Sequence, residues 1–168
     1  MGMIRRFAAF LALWGLCLLS PPGVGDVRAD VTGKAWVIDG DTIHLAGYRI
    51  RLWGIDAPEE GQTCTRGEAA WDCGAEATFA LANLLGRHWV TCKDEAPDGP
   101  DGLVAICYMG PWDINARVVR DGWALAEPGN GDYAGAQAVA ERHRAGLWQG
   151  TFQAPWDWRR DQGLGPNR

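Results

Sequence analysis

The sequence predicts an α+β domain in which five strands close as a small, partly open barrel with three helices packed outside it. Three observations predict this. Short apolar runs alternate with turn residues, as strands do. Longer apolar-periodic segments end at glycine, as helices do. The 168 residues are 47% hydrophobic and 22% charged, which suits one packed domain rather than a disordered chain.

The elements follow in order. Lys34–Ile38 is largely apolar and reads as a strand, and Asp39-Gly40-Asp41 reads as a turn. Thr42–Leu45 and Tyr48–Trp53 flank Ala46-Gly47 and form a hairpin. Asp56–Cys73 reads as a long polar loop. Gly74–Leu85 is a helix with Phe79, Leu81, Leu84 and Leu85 as its apolar positions and Gly86 as its stop. His88–Lys93 and Leu103–Tyr108 are two strands around a loop of Asp, Gly and Pro. Asp113–Asp121, ended by Gly122, and Tyr133–Ala145, ended by Gly146, are the remaining helices. A five-stranded barrel of the oligonucleotide-binding type is the natural closure for this order.

The two ends lie outside the domain. Met1–Arg6 is basic, and Phe7–Leu19 is apolar but too short to cross a bilayer comfortably. Val27-Arg28-Ala29 places small residues at both specificity positions of a signal-peptidase site. Residues 1–29 therefore read as a secretory signal, 30–150 as the domain, and 151–168 as a tail rich in Trp, Arg and Gly that wraps the surface. An uncleaved membrane anchor is the alternative. Leu16 before Cys17 argues against a lipoprotein. The expected product is exported, periplasmic or secreted, monomeric, and without stable membrane association.

Removing residues 1–29 takes away Arg5, Arg6, Arg28 and Asp26. Thirteen basic residues then face twenty acidic ones, a net charge of −7. Acidic surfaces repel phosphate backbones, so composition alone argues against a nucleic-acid binder. Cys64, Cys73, Cys92 and Cys107 remain, an even number with three possible connectivities. The local pairing, Cys64–Cys73 with Cys92–Cys107, is expected because each bond closes a short loop. A zinc site is the rival reading, weakened by the absence of any C-x-x-C spacing.

Three carboxylates stand out as candidate chemistry. Asp41 ends a turn, and Asp56 and Glu59 follow the third strand. If the barrel brings the Asp41 turn beside that strand's end, the acids converge into a set of oxygen ligands for a hard cation such as calcium. Strand alternation puts Arg49, Arg51 and Trp53 on one face. A solvated sheet face is the bland reading of both arginines, and D-G-D-T alone is an ordinary turn.

The combination is more specific. The run Val37–Glu59, VIDGDTIHLAGYRIRLWGIDAPE, resembles the calcium-site signature of the staphylococcal-nuclease (thermonuclease) family in residue types and spacing. Gly74–Ala77, Asp113–Asn115 with Val119–Ala124, and Gly146–Trp148 resemble later segments of that family, so the likeness covers roughly Lys34–Trp148. It implies a calcium-dependent phosphodiesterase acting on DNA or RNA, single-stranded in the first instance. Asp41 and Asp56 would be calcium ligands, and Ala57 would contribute its backbone carbonyl where the family often has threonine. Glu59 would be the general base on the attacking water, and Arg51 one of two arginines that hold the scissile phosphate. Those roles suit the chemistry: a guanidinium forks onto phosphate oxygens, and a nearby carboxylate takes the water's proton.

The sequence departs from the family at the second arginine. Where a Y-G-R pattern is expected, the chain reads Asp98-Gly99-Pro100-Asp101-Gly102-Leu103, and Asp101 occupies the arginine's place. Losing one such donor costs about 10²–10³ in rate in comparable sites. Arg66, Arg87 and Lys93 are the nearby candidates to replace it, although Arg87 suits the end of its helix better. The leading expectation is thus a weakened nuclease. Its alternative is an inactive nuclease-like binding module, favoured by Asp101 and the acidic balance. A sugar-binding barrel would use the ten tryptophans, but Trp14 lies in the signal and most others sit at element ends, as core residues do.

Overall fold

The computed structural model describes residues 30–99 and 102–165, and for 94 and 95 the backbone alone. The segment expected to be a secretory signal, residues 1–29, and Asp101 lie outside the described residues. The first strands are β1 (Val31–Val37), β2 (Thr42–Leu45) and β3 (Tyr48–Leu52), followed by the short β4 (Ile55–Asp56). A hairpin, β5 (Thr63–Arg66) and β6 (Ala69–Asp72), precedes helix α1 (Cys73–Leu85). Then come β7 (Trp89–Pro97), β8 (Gly102–Met109), β9 (Trp112–Asp113), α2 (Ile114–Arg120), β10 (Leu125–Ala126) and α3 (Ala134–His143). A 3₁₀ turn at Gly146–Gln149 and helix α4 (Pro155–Asp161) complete the chain.

Strands β3, β2, β1, β7 and β8 are neighbours in that order, and β3 also pairs with β8, so five strands close on themselves. The closing pair is parallel, Arg49 opposite Gly102 through Leu52 opposite Ala105, and the other barrel pairs are antiparallel. This is the expected α+β barrel with helices outside. Closure removes the free edges that an open sheet would present. Ile43, Leu45, Ile50, Leu52, Val90 and Cys107 fill the interior, capped by Leu81 and Leu85 of α1 and by Ile114 and Val118 of α2. Asn115 is fully buried among them. Its side chain accepts from the Cys107 amide and donates to the Trp53 and Ala105 carbonyls, satisfying backbone that the sheet leaves over.

Four expectations need correction. The polar segment after Asp56 is not a plain loop: its second half is the β5–β6 hairpin, stapled to α1 by a Cys64–Cys73 disulfide. The tail carries a fourth helix, α4, started by Pro155 at its first turn, where proline's missing N–H costs nothing. Phe79 lies on the outer face of α1, exposed, because Ala77 and Leu81 on either side of it take the inward positions. The tryptophans divide: Trp71 and Trp123 pack, half-buried, against the core, but four others do not. Trp36, Trp53, Trp89 and Trp112 are exposed, since β1 buries alternate residues and turns Trp36 and Lys34 outward. The second disulfide joins Cys92 to Cys107 across β7 and β8, so both local pairings are formed.

No helix among the described residues is long and apolar enough to cross a membrane.

Candidate active site

The turn between β1 and β2 places Asp41. Asp39 accepts the Asp41 amide at 3.1 Å, and the Ile38 amide donates to the Thr42 carbonyl at 2.9 Å. Gly40 is needed there: a Cβ would lie 2.7 Å from Ala57 Cβ and 3.0 Å from Ala77 Cβ, so only glycine lets the turn press against both. The Leu52 amide donates to the Asp41 carbonyl at 2.8 Å, tying the turn to the end of β3. The barrel therefore does bring Asp41 beside the third strand's end.

Asp41 is 4% exposed. Its carboxylate accepts from the Thr42 hydroxyl and from the Ala57 amide, each at 2.9 Å. Burial raises its pKa well above the ordinary carboxylate value, and the charges of Asp39 and Asp56 add to this against the two hydrogen bonds. Asp56 is 2% exposed on β4. Burial raises its pKa too, with Glu59 and Glu127 adding to the effect and Arg159 opposing it. Two buried carboxylates that repel one another call for a cation.

The cation beside Asp56 is Arg159, from α4. Its Nη1 and Nη2 donate to Asp56 Oδ1 at 2.9 Å and Oδ2 at 2.7 Å, and Nη1 also donates to Glu59 Oε1. Burial alone would lower the pKa of this guanidinium. Its bonds to Asp56 and Glu59 outweigh that and hold it charged. A forked pair of this geometry favours the ionised form of Asp56 and opposes the burial that pushes its pKa up.

The tail that delivers Arg159 is anchored at several points. Gln62, fully buried, accepts from the Glu59 amide and donates to the Gln153 carbonyl at 2.7 Å. Thr65 and Thr151 exchange backbone hydrogen bonds at 2.9 Å. Phe152 packs with Leu147 on the Cys64–Cys73 disulfide. Gly74 completes the support: a Cβ there would lie 1.9 Å from the Glu59 carbonyl oxygen, so the Glu59 loop rests directly on the start of α1.

Arg51 sits to one side. Its Nε donates to Asp98 at 3.2 Å and its Nη1 to Glu127 at 3.1 Å. Glu127 is near enough to Asp56 to raise its pKa, so it lies between the arginine and the acid cluster. Arg49 approaches Asp98 at 3.9 Å. Among the candidates to replace the missing arginine, Arg66 lies over the Trp71 ring and Lys93 pairs with Asp30. The guanidinium the structure does bring to the acids is Arg159, which sequence reasoning missed along with Asp98, Glu127 and Gln62. A signal for α4 was present in Pro155 followed by Trp156-Asp157-Trp158-Arg159-Arg160, a helix start with a basic end. No signal pointed to where that helix docks.

Asp41 and Asp56 have the donor chemistry of a hard-cation site, being buried, oxygen-only and mutually repelling. Among the described residues no three acidic, histidine or cysteine side chains already form a metal cage, and both Asp56 oxygens are engaged by Arg159. The residues fit a cation in kind, with a guanidinium standing in for part of its charge.

The raised pKa of Asp41 has a consequence for stability. A carboxylate whose folded pKa lies above its unfolded one favours folding below the unfolded value and loses that contribution as pH rises through the folded one. Asp41→Asn, measured with chelator present, should therefore melt at least ~3 °C higher than the parent at pH 7, the rise that about 1 kcal/mol brings in a chain of this size. Well below the ordinary aspartate value of 3.8, where the carboxyl is protonated in both states, the two proteins should melt together. An unchanged or lower melting temperature at pH 7 would show that Asp41 is not under electrostatic strain.

Residues 49–150 match the family described as Staphylococcal nuclease homologue. The chain is 31% identical over 179 aligned residues to a Micrococcal nuclease of Shigella flexneri, covering 95% of this chain and 94% of that protein. It is 36% identical to the Succinoglycan biosynthesis protein ExoI of Rhizobium meliloti (strain 1021), over 71% of this chain and 65% of that protein. It is 30% identical to a Probable endonuclease LCL3 of Arthroderma otae, over 83% of this chain and 52% of that protein. The chain thus spans nearly all of the Shigella relative and less than two thirds of the other two.

Proposed function

Because the chain belongs to the staphylococcal-nuclease family, we propose that it is an exported, calcium-dependent phosphodiesterase that hydrolyses DNA or RNA. The observation that carries this reading is the convergence of buried Asp41 and Asp56 with Glu59, flanked by Arg51, where the barrel joins the β1–β2 turn to the end of β3. A structural domain gains nothing from two buried carboxylates whose pKa values burial raises and one of which raises the other's further.

Asp41 and Asp56 would hold the calcium, with the Ala57 carbonyl beside them. When bound, the ion supplies positive charge against a phosphate oxygen. The remaining work falls to side chains. Glu59, partly exposed at the rim, takes the proton from a water as its oxygen bonds to phosphorus and the bond to the leaving oxygen breaks. Arg51 forks onto the phosphate oxygens, for which it must exchange Asp98 and Glu127. That exchange, together with Asp101 in place of a second arginine, makes a slow enzyme the expectation. Residues 1–29 serve as the cleaved signal, and the product acts as a monomer outside the cytoplasm, where its two disulfides persist.

The test is cleavage of a single-stranded DNA oligonucleotide by the chain beginning at Asp30, with calcium and with chelator. Cleavage that requires calcium is expected. A second reading, an inactive binding module, is favoured by one observation: Arg159 covers Asp56 and Glu59. Retained oligonucleotide binding without cleavage in calcium would establish that reading and overturn the first.

A further inference from the structure

Arg159 belongs to no part of the chemistry just described, yet with Asp56 it makes the most buried ion pair among the described residues. It forks onto both oxygens of Asp56, at 2.9 and 2.7 Å, and reaches Glu59 with the same nitrogen that binds Oδ1. Arg159 is 7% exposed, and its Nε is buried without a hydrogen-bond partner. A surface arginine has no reason to accept that desolvation unless the acids demand a positive charge. The guanidinium therefore does the electrostatic part of a cation's task on Asp56, using the very oxygens a cation would need.

We infer that Arg159 and a divalent cation are alternative counter-charges for Asp56, so that the end of the tail must release Asp56 before an ion is held there. The inference rests on the reading of Asp41 and Asp56 as a cation site. Two charges cannot share this carboxylate comfortably. An ion coordinated by Asp56 would face a guanidinium within hydrogen-bonding distance of the same oxygens, and like charges at that range repel strongly when buried. Asp41 and Glu59 cannot relieve the conflict, since Glu59 is itself engaged by Arg159.

The tail is built to let go locally. Its anchors at Thr151, Phe152 and Gln153 all lie before α4, on the disulfide-stapled hairpin and Gln62. Helix α4 is only seven residues long, and its tie to the acids is one side chain. Arg159 also lines a cavity of about 440 Å³, together with Trp156, Arg160, Gly163, Leu164 and Gly165. The side chain thus borders open space, while the preceding strap stays in place.

The experiment is calorimetric titration of calcium into the disulfide-intact chain from Asp30, comparing parent and Arg159→Gln. The variant should bind at least ~10-fold more tightly, because calcium no longer has to displace a forked ion pair. Arg159→Lys, which cannot fork, should fall between them. Hydrogen exchange of the parent supplies a readout that needs no variant: calcium should speed exchange of the α4 amides at 156–161 and leave the 63–72 hairpin unchanged. Equal or weaker binding by a folded Arg159→Gln overturns the inference. So does calcium binding to the parent with no change in α4 exchange, which would leave the cation site itself standing. If neither protein binds calcium, the cation site fails and the inference falls with it.

Discussion

Glu59→Gln is expected to lower calcium-dependent cleavage of single-stranded DNA by ~10²–10⁴-fold, the range by which a positioned general base accelerates proton transfer. The substitution is nearly isosteric. The Gln carbonyl still accepts from Arg159 Nη1 where Glu59 Oε1 did, and the backbone amide still meets Gln62. What disappears is the capacity to take a proton. The melting temperature should consequently move by only a few degrees, which separates lost chemistry from lost structure. Arg51→Lys is a useful companion. It keeps the charge beside Asp98 and Glu127 and loses the fork, so a fall of ~10²–10³-fold is expected if Arg51 stabilises the phosphate. Cleavage by Glu59→Gln within about threefold of the parent would remove Glu59 from the mechanism.

The second large effect concerns the barrel. Cys92→Ala/Cys107→Ala should destabilise the protein by ~3 kcal/mol, since the bond closes a span of 15 residues. For a domain of this size that lowers the melting temperature by roughly 10 °C. Both sulfurs are fully buried where β7 faces β8, so their removal also leaves a gap in the interior. The loop between these strands carries Asp98, which holds Arg51. The damage should therefore extend from stability to the phosphate-binding flank. Thermal unfolding followed by circular dichroism is the measurement. A drop below ~3 °C would mean that barrel closure through β3 and β8 already restrains this loop without the disulfide.

Much of the fold was legible because its signals are local. Thr42–Leu45 and Tyr48–Leu52 alternate around Ala46-Gly47, and that pattern reports a hairpin whatever lies beyond it. Gly86 and Gly122 mark helix ends by the same logic. Misreadings came where a local signal has two tertiary outcomes. An apolar residue on α1 is core or surface according to which face the barrel covers, and Phe79 fell on the uncovered one. A tryptophan at a strand end is core only if its side of the pleat faces inward, and Trp36 faces out. The β5–β6 hairpin has polar strands such as Thr63–Arg66, so hydrophobic periodicity cannot reveal it, and a disulfide does the stapling that apolar burial does elsewhere.

By itself the sequence determined the five strands of the barrel, the first three helices, the local disulfide pairing and the family likeness carried by Val37–Glu59. Each depends on spacing within about twenty residues, which the chain states directly. Tertiary structure alone decided the company each charge keeps. Arg51 meets Glu127 across 76 positions, and Arg159 meets Asp56 across 103. No periodicity encodes contacts at such separations. They exist because β3 pairs with β8 to close the barrel, and because a disulfide-stapled hairpin turns the tail back across the mouth where the acids lie.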